Sequence, residues 1–97
     1  MKIAKVSGTS RTSAVAGAIA GIIREQNEVA VQAIGASAVN QAVKAIILAR
    51  KYLQQDSIVV SLNMDFVDVE IDDNTKTAVR FTLERVEQAP PPNITGM

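Results

Sequence analysis

Residues 28–53 read EVAVQAIGASAVNQAVKAIILARKYL and contain a complete transition from strand through turn to helix. Glu28 to Ile34 is rich in valine and alanine, which predicts a β-strand. Gly35-Ala36-Ser37 predicts a tight turn in which the Ser37 hydroxyl caps the following helix. Apolar residues then recur at helical spacing from about Ala38 to Leu53. A strand followed at once by a long helix indicates an α/β unit.

The segment before this unit has the same order of elements. Lys2 to Val6 alternates polar and apolar residues, which predicts a short, half-buried strand. Residues 7–13, SGTSRTS, predict a loop rich in small hydroxyls, and the last of these hydroxyls are expected to cap a helix. Isoleucine and valine at helical spacing predict that this helix runs to about Gln26.

Two strands are predicted after the second helix. Ser57 to about Met64 is nearly all apolar, so we expect a central strand covered on both faces. From Phe66 apolar and acidic residues alternate as far as a turn at residues 73–75. An alternating strand returns over residues 77–86, so the two strands are expected to form a hairpin.

A register for this hairpin follows if the apolar residues of both strands share one face. A three-residue turn then places Asp72 opposite Lys76 and Asp68 opposite Arg80. The sequence therefore predicts two cross-strand ion pairs in the hairpin.

The complete order is βαβαββ, which predicts one α/β two-layer sandwich over residues 1–87. Right-handed crossovers place both helices on one face of a four-stranded mixed sheet. Residues 88–97, QAPPPNITGM, have no periodicity and predict a proline-rich, disordered tail.

The composition excludes several kinds of functional site, because the chain has no cysteine and no histidine. Disulfides, thiolate nucleophiles and histidine acid–base catalysis are excluded. No apolar run approaches the roughly 18–20 residues of a membrane span, and we expect a soluble cytoplasmic protein without membrane contact. The carboxylates cluster along one hairpin instead of converging from separate elements. We therefore expect no metal site, no cofactor and no catalytic residue.

The charge is divided between the two halves of the chain, although the net charge is zero. Residues 1–55 contain seven lysines and arginines against two glutamates, whereas residues 56–97 contain three against eight carboxylates. Such a division suits an anionic partner, and it equally suits two copies of the chain that attract each other.

The basic half suggests one surface in particular. In a two-layer α/β domain, the loop after the first strand and the start of the second helix lie at the same end of the sheet. Cations with hydroxyl, amide and backbone N–H donors are what a phosphate backbone requires. The candidate nucleic-acid-binding residues are Lys5, Arg11, Gly35, Ser37, Asn40, Gln41, Lys44 and Lys51.

Three stretches carry a resemblance to a known family. VAGAIAG at 15–21, QAIGASAVNQAVKAI at 32–46, and DVEID at 68–72 with TAV at 77–79 resemble the stage V sporulation protein S family over about residues 1–86. The resemblance implies a bacterial, cytoplasmic protein that acts in sporulation. It also implies a fold similar to the Alba chromatin proteins, which are βαβαββ dimers that bind DNA or RNA.

The resemblance also implies site residues. The contact regions of Alba proteins after the first strand and at the second helix correspond here to Arg11 and to Gly35, Ser37, Asn40 and Lys44. The Alba hairpin carries arginine and lysine, whereas residues 72–75 here are DDNT. Because carboxylates are repelled by phosphate, we expect this hairpin to make no contact with a duplex.

Three functional hypotheses follow. The first is a non-enzymatic regulator that binds DNA or RNA through the basic face of the second helix, as a homodimer or tetramer. The second is a protein-assembly module that ignores nucleic acid, in which the basic half of one chain meets the acidic hairpin of another around Ile47 and Leu48. The third is a sensor of small anions at the helix N-termini.

Overall fold

The computed structural model describes residues 1–87. The tail predicted over 88–97 lies outside the described residues. The elements follow the predicted βαβαββ order, and their bounds are β1 Ile3–Val6, α1 Thr12–Gln26, β2 Glu28–Ala33, α2 Ala36–Gln54, β3 Val59–Ile71 and β4 Asn74–Val86.

The four strands form one mixed sheet in the order β1-β2-β4-β3. β1 and β2 are parallel, and β4 is antiparallel to both β2 and β3. Both helices pack on this sheet and against each other. The predicted fold, a two-layer sandwich with two helices on a four-stranded mixed sheet, is confirmed.

The core lies between the helices and the sheet and is built from aliphatic side chains. Alanines along α2, at positions 38, 42, 45 and 49, let this helix approach the sheet closely. The largest fully buried side chains are Ile19, Ile23, Val29, Val31, Leu53 and Leu83. Burying each branched side chain contributes about 1.5–3 kcal/mol to stability, so the core stabilises the fold without any disulfide.

The expected hydroxyl caps are absent from both helices. α1 has Arg11 at its N-cap and α2 has Gly35, and neither N-cap makes a side-chain hydrogen bond. α2 begins at Ala36, two residues earlier than expected, because Gly35 has a φ of +88° and occupies the N-cap position in place of Ser37.

The expectation of a central strand at Ser57–Met64 was wrong. β3 lies at the edge of the sheet and extends to Ile71, and its side chains are largely exposed. Its apolar composition therefore does not reflect burial in the core of one chain, which is the usual origin of such a run.

The hairpin turn also differs from the prediction. It contains two residues, Asp72 and Asp73, with φ of 49° and 64°, as in the tight turns that suit the twist of a hairpin. Asp68 consequently lies opposite Thr77, and Asp65 lies opposite Arg80. The predicted pairs Asp72–Lys76 and Asp68–Arg80 do not form.

The register shows why the assumption of a shared face failed. Val67 of β3 pairs with Ala78, and Phe66 pairs with Val79. The apolar residues of β3 beyond Val67 therefore lie on the face opposite that of Phe81, which is in the core. Each strand alternates apolar and polar residues as expected. From Val67 onward, however, the apolar residues of β3 lie on one face of the hairpin, whereas Val79 and Phe81 of β4 lie on the other.

The outer half of the hairpin extends beyond the other strands. β2 pairs with β4 only as far as Val79, so residues 67–78 form a two-stranded arm. This arm contributes to the length of the molecule, whose extents are 60 × 23 × 23 Å. It carries four carboxylates and one lysine, namely Asp68, Glu70, Asp72, Asp73 and Lys76.

Candidate nucleic-acid interface

The loop after β1 and the start of α2 are in contact, as predicted. A Cβ at Gly8 would lie 2.5 Å from Ser37 Oγ, so only glycine allows this approach without displacing a side chain. Residues 7–14 and 35–38 therefore form one continuous surface at the carboxyl ends of β1 and β2, which we call the loop edge.

Gln41 holds the two parts of the loop edge together. Its Nε2 donates hydrogen bonds to the Ser10 carbonyl at 2.7 Å and to Thr12 Oγ1 at 3.4 Å. The side chain is half-buried, and its amide is used within the protein. We therefore interpret Gln41 as a residue that positions the loop, and not as a direct contact to a base.

The hydroxyls of the loop bond to one another. The Ser7 amide donates to Ser10 Oγ at 2.9 Å, and the Ser7 hydroxyl lies 3.1 Å from Ser10 Oγ and 3.2 Å from Thr9 Oγ1. These bonds fix the loop, whereas the last hydroxyls, Thr12 and Ser13, lie within the first turn of α1 and therefore do not occupy its N-cap.

Both helices therefore begin at the loop edge without a side-chain cap. The N–H groups of a first helical turn have no partner within the helix, and the helix dipole adds positive potential. Neither first turn contains an acidic residue. Two uncapped helix N-termini at one edge form a surface that favours an anion.

Lys5 approaches this edge from the other side of the sheet. Val6 is in the core, so Lys5 lies on the face opposite the helices. It nevertheless contributes to a cavity of about 260 Å³ that opens at the loop edge. The lining residues are Lys5, Val6, Ser7, Gly8, Gln32, Ile34 and Ala38.

The other candidate residues fall into two groups. Arg11, Asn40 and Lys44 are exposed, and they lie within about two helical turns of Ser37 or on the loop itself. Lys51 is fourteen residues beyond Ser37, which places it about 21 Å away along α2. The structure therefore brings together seven of the eight candidates and leaves Lys51 at the other end of the helix.

Residue types alone could not identify two features of this region. The first is the backbone donors at the uncapped helix ends, because the hydroxyl-rich sequence predicts caps. The second is Arg80, which the wrong register assigned to Asp68. Its Nη2 donates a 2.8 Å hydrogen bond to the carbonyl oxygen of the buried Gln32 side chain, next to Lys5 in the sheet.

The arm leaves the sheet at the same end as the loop edge, because β2 ends there at Ala33. The four carboxylates of the arm are exposed. Negative charge at this position opposes a phosphate that approaches along the arm, although salt screens it over about 8–10 Å.

Within residues 1–87 the structure contains no group of three or more residues that could hold a metal ion. In the same residues, no helix is both long enough and apolar enough to cross a membrane.

Comparisons with known proteins agree with this geometry. The family model for stage V sporulation protein S matches residues 2–86. Among solved structures, the chain is similar to Alba from Thermoplasma volcanium, with a TM-score of 0.56 and 20% sequence identity. The alignment covers 86% of this chain and 99% of the Alba chain. At this identity the likeness shows a shared fold.

Proposed function

This chain belongs to the stage V sporulation protein S family, and from that membership we propose a non-enzymatic regulator of sporulation or cell development that binds the phosphate backbone of DNA or RNA at the loop edge. The observation that carries the proposal is the convergence of two uncapped helix N-termini at one edge of the sheet. The likeness to Alba supports it at the level of the fold.

The chemistry of the loop edge suits a phosphodiester. Backbone N–H groups and the Ser37 hydroxyl supply hydrogen-bond donors, while Arg11, Lys44 and Lys5 supply charge. Asn40 is exposed on the same side of α2 and is available for a contact to sugar or base. A site of this composition recognises the backbone more than the sequence.

Binding takes place as a homodimer or tetramer. Five exposed apolar side chains, which we call the apolar corner, support self-association, and they are Val43 and Ile47 of α2 and Leu62, Met64 and Phe66 of β3. The β3 members share the helix-side face, because Leu62 and Met64 pair with the core residues Leu83 and Phe81. The three β3 side chains are neighbours on this face, and a contiguous exposed apolar surface marks an interaction site on a small protein.

The test is affinity for mixed-sequence duplex DNA and for RNA as a function of salt. Wild type is expected to bind with a slope of log affinity against log salt of about 2–4 per chain, at about 0.9 per phosphate contact for duplex. The variant Arg11→Glu/Lys44→Glu is expected to lose binding.

The matched control is Lys51→Glu/Arg85→Glu, which changes the net charge equally but away from the loop edge. This control is expected to retain most of the affinity. Equal losses in the two double variants would show that binding depends only on net charge. No binding by wild type at low salt would refute the proposal.

The division of charge favours a second candidate, a protein-assembly module without nucleic-acid binding. Ile47 is 52% exposed, as that hypothesis requires, whereas Leu48 packs partly against the core. A chain that changes oligomeric mass when Ile47 is altered, and that binds no nucleic acid, would support the assembly module.

A further inference from the structure

Among residues 1–87, no strand pairs with the outer edge of β3, so this edge can pair with another strand. β3 is the last strand of the sheet and is 13 residues long. Since the two-residue turn makes Ile71 and Asn74 a hydrogen-bonded pair, the odd-numbered residues of β3 bond to β4. The N–H and C=O groups of the even-numbered residues therefore point outward, as an unpaired template for another chain.

Three consecutive even-numbered residues of β3 have apolar and exposed side chains. Leu62 is 39% exposed, Met64 is 63% exposed and Phe66 is 79% exposed. The edge therefore offers both backbone hydrogen-bonding groups and apolar side chains, and the described residues leave those side chains exposed. Proteins usually protect such an edge with charge, proline or another strand.

We propose that a second copy of this chain covers the edge, with β3 pairing antiparallel to the partner's β3 around a two-fold axis at Asn63. This inference refines the oligomeric part of the proposed function and rests only on that part. The two sheets then join into one sheet of eight strands. Val43 and Ile47 are exposed on α2, a helix that contacts β3, and they supply further apolar surface for the partner.

The sequence of β3 selects this register. The even-numbered residues of both copies must exchange hydrogen bonds, so the axis passes through a residue position. An axis at Asn63 pairs Leu62 with the partner's Met64 and Val60 with the partner's Phe66, so that apolar residues meet along the helix-side face.

Shifting the two-fold axis to a neighbouring residue opposes less compatible side chains. An axis at Met64 opposes Val60 to the partner's Asp68, and an axis at Asp65 opposes two carboxylates. An axis at Leu62 or earlier places the partner's Phe66 beyond Val59, the first residue of β3. Among these registers, only the one at Asn63 pairs the apolar residues 60, 62, 64 and 66 with one another and opposes no like charges within β3.

Charge complementarity supports a second copy as the partner. In this register the partner's arm continues past Val59 beside the carboxyl end of α2, and the partner's Asp68 lies next to Ile58. Arg50, Gln54, Ile58, Val59 and Val60 line one small cavity there. Arg50 is exposed and makes no ion pair within residues 1–87, so it is available to the partner's Asp68.

The nearby Asp56 carboxylate does not oppose this contact, because Arg24 Nε donates to it at 2.9 Å. The zero net charge of the chain also imposes no overall repulsion between copies. The two-fold axis repeats each Arg50–Asp68 contact, so one interface contains two of them.

Single cysteine variants test the register directly, since the protein has no cysteine of its own. At the axis, Asn63→Cys brings two Cα atoms within about 4.5–5.5 Å, which permits a disulfide. The matched control Ser61→Cys lies on the same face of the same strand. Its Cα atoms would be about 13 Å apart, which is beyond the reach of a disulfide.

The expected result is rapid formation of a covalent dimer by Asn63→Cys under mild oxidation, reversed by a thiol, and little by Ser61→Cys. Equal cross-linking of both variants, or none by Asn63→Cys, would overturn the inference. If the native mass is still dimeric in that case, the proposed oligomer survives and only this interface fails. Nucleic-acid binding is measured separately, with Arg11→Glu/Lys44→Glu.

A charge exchange provides a second test that does not need oxidation. Arg50→Asp and Asp68→Arg are each expected to raise the dimer dissociation constant about tenfold in sedimentation equilibrium, and the double variant is expected to recover most of the loss. Glu25→Arg, on α1, is the control and should have no effect. Additive losses in the double variant would contradict the Arg50–Asp68 contact.

Discussion

At the residue scale, the loop edge depends on two close approaches that the sequence encodes with small or amide side chains. Gly8 leaves room for Ser37, and Gln41 binds the loop from α2. The N-cap positions are occupied by Arg11 and Gly35, neither of which makes a side-chain cap, and this leaves the helix ends open. The function proposed for this edge thus depends also on Gly8 and Gln41, which shape the loop and would not touch the ligand themselves.

Gln41→Ala is expected to lower the free energy of unfolding by about 1 kcal/mol, because a half-buried hydrogen bond to the Ser10 carbonyl is lost. It should also weaken nucleic-acid binding several-fold, since the loop no longer has a fixed position. Urea denaturation and a binding titration measure the two effects. Asn40→Ala, at an exposed neighbouring position, should leave stability within about 0.5 kcal/mol of wild type. Unchanged stability and affinity in Gln41→Ala would refute the positioning role.

At the scale of the element, the arm determines which surfaces remain available. Its exposed carboxylates oppose nucleic acid near the loop edge, and in the proposed dimer one of them meets Arg50 of the other copy. An acidic arm is therefore consistent with a protein contact, whereas a basic arm would suit a groove in DNA.

Asp72→Lys/Asp73→Lys is expected to increase affinity for duplex DNA several-fold at low salt and to steepen the salt dependence, because repulsive charges at the tip become attractive. Salt-dependent binding isotherms measure this. Asp72→Asn/Asp73→Asn is the control, and should increase affinity less because it only removes charge. If the lysine variant bound no better than wild type, the arm would lie outside the electrostatic field of the binding site.

The elements could be predicted from the sequence more reliably than their arrangement. Periodicity locates both helices and the hairpin, since each element contributes its own alternation. It does not give the phase between strands: the turn at Asp72-Asp73 has two residues instead of three, and this reverses the face of every β3 residue relative to β4. The composition of β3 also led to a wrong position in the sheet, because an exposed apolar edge strand resembles a buried central strand in sequence.

The candidate site was only partly predictable for a similar reason. The meeting of the loop with α2 follows from topology, and the structure confirms it through Gly8 and Ser37. The open helix ends do not follow, because a sequence with several hydroxyls before a helix predicts capping. The conformation of the loop decides which residue becomes the N-cap, and here the N-caps are Arg11 and Gly35.

At the scale of the whole molecule, the structure separates two kinds of surface. The loop edge is polar and basic, with open helix ends, whereas the β3 edge and the apolar corner are apolar and lie beside the basic end of α2. If the proposed function is correct, this separation lets self-association and the binding of an anionic polymer use different surfaces.

The most direct measurement of the central claim is a titration of the protein with a short mixed-sequence duplex, followed through the amide resonances by NMR. Binding at the loop edge predicts the largest changes at residues 8–14 and 35–38, with smaller changes near Lys44 and little change at 52–58. Changes confined to the arm or to β3, or no changes at low salt, would contradict the claim that the open helix ends bind the phosphate backbone.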